Sequence, residues 1–261
     1  MDILHEIAEK TRERIAEKEK KIPLSEMRSM AEKMPSNTGF PFEKALCKED
    51  ISFICEVKKA SPSKGIIAED FPYLQIARDY EKAGAAAISC LTEPFWFKGS
   101  DEILKEITGT VKIPVLRKDF TVNEYMIYEA KLLGASAVLL ICSILSERQL
   151  SEYLGIARSL GLSALVETHN EQEIELAVKI GAKIIGVNNR DLKTFNVDVN
   201  NAAHLRGLVP PDRIFVSESG VRTAEDVENI RKYGANAVLI GETLMRAPDK
   251  KAKLDELRGL K

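Results

Sequence analysis

Short apolar runs alternate with longer amphipathic ones along most of the chain. Phe53–Val57, Ala86–Leu91, Pro114–Leu116, Ala137–Cys142, Ala164–Val166, Ile184–Val187, Ile214–Val216 and Ala237–Ile240 are too short for helices and read as eight buried strands. Helical spacing fills the gaps near 70–83, 101–108, 123–133, 146–160, 170–180, 198–207 and 223–233, with a last stretch near 249–258. Strand–helix alternation predicts a parallel sheet with right-handed crossovers. Eight such units over roughly 210 residues predict an α/β fold of the closed (β/α)8 TIM-barrel type. A weak repeat agrees: Gly84-Ala85-Ala86-Ala87, Gly134-Ala135-Ser136-Ala137, Gly181-Ala182-Lys183-Ile184 and Gly234-Ala235-Asn236-Ala237 each end a helix on glycine and start a strand. A doubly wound open sheet is the competing architecture. No Gly-x-Gly-x-x-Gly follows the first strand and no P-loop is present, which disfavours it.

The segment from residue 2 to about 34 differs. It is rich in Glu, Lys and Arg, places Leu4, Ile7, Ala8 and Ile15 at helical spacing, and is broken by Pro23 into two helices. It reads as an amphipathic pair packed on the main domain or as a lid over a site. Pro35 to Pro41 reads as a connector. The expected organisation is a helical extension over 1–48 and a catalytic barrel over 49–261, forming one structural unit.

Composition narrows the function. Of 261 residues, 44% are hydrophobic, enough for one large core, and 38 basic against 40 acidic residues give a net charge of −2. That balance, with only 6% aromatics, argues against a nucleic-acid partner. The start, Met1-Asp2-Ile3-Leu4-His5-Glu6, has no apolar leader, and no apolar run approaches membrane length, so a soluble, cytoplasmic protein with no membrane partner is expected. Cys47, Cys55, Cys90 and Cys142 lack CxxC spacing and fit a reducing compartment. His5, His169 and His204 show no ligand spacing, so metal-free acid–base chemistry is expected.

The informative residues are polar groups at strand ends, where ligands bind in parallel α/β proteins. Glu56-Val57-Lys58-Lys59-Ala60-Ser61-Pro62-Ser63-Lys64-Gly65 follows the first strand; Lys118-Asp119, Glu167, Asn188-Asn189-Arg190 and Glu218-Ser219-Gly220 close later ones. Lys118 reads as a rim salt bridge to Asp119, or as a buried amine acting as acid or Schiff-base nucleophile, its pKa lowered by neighbouring cations. Glu167 reads as a rim carboxylate or as a base whose pKa burial raises. Asn188 suits a substrate hydroxyl; Arg190 reads as a substrate contact or a partner of Asp191. Gly220 and Gly241 after strands seven and eight, with Ser219, suit a phosphate, and Glu242 is expected to point away from it. Phe95-Trp96-Phe97 and Phe120 read as a core-anchored loop or as the wall of a pocket for a flat ring.

Together these segments resemble the indole-3-glycerol phosphate synthase family. Glu56-Val57-Lys58-Lys59-Ala60-Ser61-Pro62-Ser63 is the most specific. Leu91-Thr92-Glu93 with Phe97-Lys98-Gly99, Arg117-Lys118-Asp119-Phe120, Leu165-Val166-Glu167, Asn188-Asn189-Arg190-Asp191-Leu192 and Ser217-Glu218-Ser219-Gly220 follow in the same order. The resemblance implies ring closure, decarboxylation and dehydration of 1-(2-carboxyphenylamino)-1-deoxyribulose 5-phosphate, without a cofactor. It implies Lys118 as general acid on the ketone, Lys58 paired with the departing carboxylate, Glu167 as base of the dehydrating half, and Glu56 orienting Lys58 and the substrate amine. It implies Asn188, Arg190, Glu218 and Ser219 on the chain hydroxyls, Ser61, Gly220 and Gly241 on the phosphate, and Phe97 and Phe120 around the anthranilate ring. Two departures stand out: Glu242 where some relatives have Ser, and Ala60 where some have a basic residue. The competing readings are another phosphosugar barrel, an isomerase or a Schiff-base aldolase, and an inactive binding barrel. The sequence leaves monomer or weak homo-oligomer open.

Overall fold

In the computed structural model, which describes residues 3–191 and 195–260, eight parallel strands close into a barrel. The expectations placed on Met1, Asp2 and Leu192 lie outside the described residues. The strands are β1 (Ser52–Val57), β2 (Ala87–Leu91), β3 (Val115–Lys118), β4 (Ala137–Ile141), β5 (Ser163–Thr168), β6 (Ile184–Asn188), β7 (Ile214–Glu218) and β8 (Ala237–Ile240). Each pairs with the next, and β1 closes on β8. Four run past their apolar stretches to include Lys118, Glu167-Thr168, Asn188 and Ser217-Glu218. Backbone pairing continues where hydrophobicity stops, so the polar residues stand on the sheet and not in loops.

Strand side chains alternate between two faces, and the alternation divides the core. Ile54, Leu116, Leu139, Leu165, Ile184, Val216 and Leu239 fill the barrel interior. Cys55, Ile88, Val138, Val166, Ile185, Phe215 and Val238 pack outward under the helices. Following β1 come α4 (Tyr73–Lys82), α5 (Asp101–Thr108), α6 (Tyr125–Leu132), α7 (Glu147–Ser159), α8 (Glu171–Lys179), α9 (Asn201–Leu205), α10 (Ala224–Lys232), α11 (Glu242–Arg246) and α12 (Lys250–Arg258). Capping boxes at Ser146/Gln149 and Thr223/Asp226 fix the starts of α7 and α10. The four repeat glycines, Gly84, Gly134, Gly181 and Gly234, all have φ near +80°, as the helix-to-strand turn requires. The helix expected over 198–207 is shorter and passes into a 3-10 turn at Arg206–Leu208. The periodicity did not show α11 or the small hairpin of Ala60–Ser61 with Gly65–Ile66; both are too short to carry it. Among the described residues no helix is long and apolar enough to cross a membrane.

Ahead of the barrel lie α1 (Ile3–Lys21), α2 (Leu24–Glu32) and α3 (Pro41–Leu46). Leu4 and Ile7 join the interior cluster, while Ala8 and Ile15 join the outer one. Charge fastens the same helix. Arg14 grips Asp119 at 2.8 and 3.0 Å, and Lys18 pairs with Asp101 and with Glu129, the latter at 2.6 Å. Arg117, 1% exposed, reaches Asp101 and Glu129 at 2.7 Å each and the Met126 carbonyl at 3.0 Å. Removing one member of a buried charge set leaves the others unpaired, which costs about 3–5 kcal/mol. Arg117→Met should therefore lower the unfolding free energy by about that amount, measured by urea denaturation, with the same barrel in circular dichroism.

Candidate active site

The interior face continues upward past the apolar layers, two residues at a time. Ile54 is followed by Glu56 and Lys58, Leu116 by Lys118 and Phe120, and Leu165 by Glu167. Ile184 is followed by Gly186 and Asn188, Val216 by Glu218 and Gly220, and Leu239 by Gly241. Period two thus lifts a polar or glycine layer onto a hydrophobic floor. These residues open into a cavity of about 510 Å³. Glu56, Lys58, Ser61, Phe97, Lys118, Phe120, Glu167, Asn188, Arg190, Glu218, Ser219, Gly220 and Gly241, every residue singled out from the sequence as catalytic or substrate-binding, line it. Ile3, Leu4 and Ile7 of α1 complete the wall.

At the floor of the cavity Lys118 Nζ lies 3.2 Å from Glu167 Oε2 and 3.8 Å from Glu218 Oε2. Asn188 Nδ2 donates to Glu167 Oε1 at 3.2 Å, and its Oδ1 accepts the Ser219 hydroxyl at 2.9 Å. Both ends of that amide are engaged, so Asn188 orients Glu167. Ser219 takes φ +68°, a left-handed backbone that a non-glycine residue adopts only under constraint. Lys58 Nζ bonds Glu56 Oε1 at 2.5 Å, and the Ser89 hydroxyl reaches Glu56 Oε2 at 3.4 Å. Two glycines make room. A Cβ at Gly186 would collide with the Glu218 carboxyl, and one at Gly241 with Glu56 and Lys58.

The proton distribution corrects three expectations. Asp119 is not the partner of Lys118: it points to the opposite face of β3, onto Arg14 and the Thr92 hydroxyl. The Lys118 pKa is not lowered. Burial opposes its charge, but the fields of Glu167, Glu218 and Glu56 prevail and raise it. Glu167 is not the raised carboxyl. Burial alone would raise it, but Lys118, His169 and the hydrogen bond from Asn188 hold it below the usual carboxylate range. The raised one is Glu218, which burial and the Glu167 charge push up to about 8. Its Oε1 has no hydrogen-bond partner among the described residues. The two neighbouring carboxyls are thus driven apart in pKa.

Part of the cavity wall is aromatic. Phe97 and Phe120 stand with ring centroids 6.2 Å apart. The buried Glu93 carboxylate accepts the backbone N–H groups of Phe95, Trp96 and Phe97 at 2.7–3.0 Å and so builds their loop. Phe97 is therefore both core-anchored and cavity-lining. Ser61, Ser63, Lys64, Gly220, Arg222, Gly241 and Arg246 also line the cavity. Gly220 has φ +93°. Glu242 lines it too, but its carboxylate is held by Arg246 at 3.1 Å and faces Lys64 at 3.9 Å, which neutralises it locally. Arg190 donates to the Phe195 carbonyl at 3.2 Å. Lys64 lies in the stretch singled out after the first strand, though without a role of its own; the strand-end pattern overlooked Arg222, in a loop, and Arg246, in the short α11. It also overlooked His169, although His169 continues the Leu165–Glu167 spacing.

A carboxyl whose pKa rises on folding must take up a proton to fold. Its contribution is intact below the unfolded value near 4.5 and is lost as pH climbs toward 8. Glu218→Gln removes that loss. Its melting temperature should exceed that of the parent by roughly 3 °C or more at pH 8, with the gap closing near pH 5; differential scanning calorimetry across that range checks it.

Comparison with known proteins places the chain. The family model described as Indole-3-glycerol phosphate synthase matches residues 4–257. The indole-3-glycerol phosphate synthase of Ruminiclostridium cellulolyticum is 56% identical, over 98% of this chain and 99% of its own. That of Leuconostoc mesenteroides is 48% identical, over 99% of this chain and 100% of its own. Among solved structures, thiamine phosphate pyrophosphorylase from Pyrococcus furiosus superposes with a TM-score of 0.62 at 16% identity, covering 83% of this chain and 96% of that one. A 3-hexulose-6-phosphate synthase gives 0.63 at 16%, covering 80% and 99%. At such identity these two show the barrel alone.

Proposed function

This chain belongs to the indole-3-glycerol phosphate synthase family, and we propose that a single buried acid–base cluster carries both halves of the family's reaction in it. The enzyme is a carboxy-lyase of tryptophan biosynthesis. It closes the ring of 1-(2-carboxyphenylamino)-1-deoxyribulose 5-phosphate and releases one CO2 and one water to give indole-3-glycerol phosphate. The observation that supports the division of labour is the Lys118–Glu167–Glu218 contact set, with its two carboxyls driven apart in pKa.

The aromatic wall takes the anthranilate ring between Phe97 and Phe120. Gly220, Gly241 and Ser61 take the phosphate, with Lys64 and Arg246 adding positive charge. Held at both ends, the substrate bends so that the ring carbon bearing the carboxylate meets the ketone carbon. Lys118 remains an ammonium in its acidic surroundings and is the donor nearest the centre. It hydrogen-bonds the ketone oxygen and gives it a proton as the C–C bond forms. Lys58, steered by Glu56, pairs with the substrate carboxylate. CO2 then leaves, and its bonding electrons restore the aromatic ring. In the second half the new hydroxyl leaves as water, pushed by the ring nitrogen, while Glu167 takes the adjacent C–H proton. Glu218, protonated at neutral pH, is the acid beside that hydroxyl; Asn188 and Ser219 hold Glu167, and Arg190 faces the chain hydroxyls. The four free thiols, three of them buried, suit a reducing cytoplasmic setting.

The test is a fluorescence assay for the indole product from the named substrate, with chelated protein and no added cofactor. Lys118→Met should slow ring closure by about 10³-fold while leaving the affinity for a phosphorylated anthranilate analogue within a few-fold; near-parental turnover would remove Lys118 from its role. Glu167→Gln should depress kcat by about 10²-fold with KM little changed. Equal losses in kcat and affinity would instead mark Glu167 as a binding group.

A further inference from the structure

His169 lies just beyond β5, two residues after Glu167, and is not among the residues that line the cavity. Its Nε2 is 3.5 Å from Glu167 Oε1, and its Nδ1 is 3.3 Å from Glu173 Oε2. The ring is fixed from behind. Glu173 Oε2 also accepts the His169 backbone N–H at 2.7 Å. Glu173 is itself set by the Asn170 cap of α8, which accepts its N–H at 3.0 Å. Asn201 of α9 donates to the His169 carbonyl at 3.2 Å. Nε2 is buried, has no hydrogen-bond partner among the described residues, and faces Glu167.

The proton count follows from this geometry. Glu173 is an acceptor and claims the Nδ1 proton. A neutral ring would then turn a bare Nε2 lone pair toward a carboxylate oxygen, and two lone pairs at that distance repel. A second ring proton turns the same approach into attraction at both nitrogens. We propose that His169 is a positioning residue for the reaction, an imidazolium clamped between Glu173 and Glu167 that holds Glu167 ionised and aimed as the base. This rests on the reading of Glu167 as the base of the dehydrating half. Burial works against the charged ring, but the Glu173 bond and the Glu167 field raise its pKa. Its charged surroundings are Glu167 on β5, Lys118 on β3, Glu218 on β7 and Glu173 on α8. The nearby Cys142 thiol is pushed up to about 12 by burial and stays neutral.

The test is the pH profile of the single-turnover rate, using the full chain and the anthranilate-derived substrate named above. His169→Gln keeps a neutral donor but loses the charge, and Glu173→Gln loosens the clamp while keeping the histidine. In His169→Gln the rate should fall about tenfold, KM should stay within about twofold, and the acid limb should move up by about one pH unit, because Glu167 loses a cationic neighbour. Glu173→Gln should shift the limb the same way by less. A folded His169→Gln protein with parental rate and an unmoved acid limb overturns the proposal. If His169→Gln does not fold, an unmoved limb in Glu173→Gln overturns it instead. Glu167→Gln separates the two readings. Full activity there defeats the assignment of Glu167 itself, whereas an inactive Glu167→Gln beside an unaffected His169→Gln defeats the histidine's role alone.

Discussion

Glu56, Lys58, Lys118, Glu167 and Glu218 occupy one layer at the mouth of a closed sheet, over a floor of leucine, isoleucine and valine. Charges so placed cannot be hydrated independently, so they must share protons and pair with one another. Much of the upper barrel answers that requirement. Glycine stands at positions 186 and 241, where any side chain would strike a carboxylate. Asn188 spans Glu167 and Ser219, and Ser219 accepts a left-handed backbone to be there. Burial and the Glu167 charge push Glu218 toward its protonated form, while Glu167 and Lys118 pair with each other.

A second charge layer lies outside the first. Asp119, one residue beyond Lys118, ties Arg14 and Thr92 to the start of the Phe120 loop. Arg117, one residue before it, meets Asp101 and Glu129, which Lys18 also holds. Alternation at the end of β3 thus sends a single charged residue inward to the cavity and its two neighbours outward toward the N-terminal helix. That helix ends up both as cavity wall, through Ile3, Leu4 and Ile7, and as a clamp on β3. The segment thus packs on the barrel and also lines the cavity.

The eight strands were legible because each contains an apolar run, and most of the site residues because they lie at or just beyond a strand end. What the sequence obscured was the sense of each pKa shift. Lys118 was expected among cations and lies among three carboxylates from other strands. Glu167 was expected to be raised by burial, and a lysine from β3 and a histidine from the following loop reverse the sign. Such signs depend on distances between strands far apart in the chain, which no local pattern encodes. His169 was missed for a different reason. The three histidines show no metal-ligand spacing and nothing else local marks one of them, although counting by twos from Leu165 places His169 behind Glu167.

At 16% identity the distant barrels show the closed sheet alone, whereas the relatives near 50% carry the family's name over the whole chain. The difference has a structural basis. A barrel needs only hydrophobes at the lower inward positions and glycine at the helix-to-strand turns, and many sequences supply both. The chemistry needs one further step of the same period on several strands at once, with a Glu that can stay charged beside one that cannot. Of two buried carboxyls near a single lysine, only the one with additional donors can remain ionised. Asn188 supplies one such donor and His169 faces the same oxygen, both on Glu167. The asymmetry between the two carboxyls is therefore set by groups outside the pair itself.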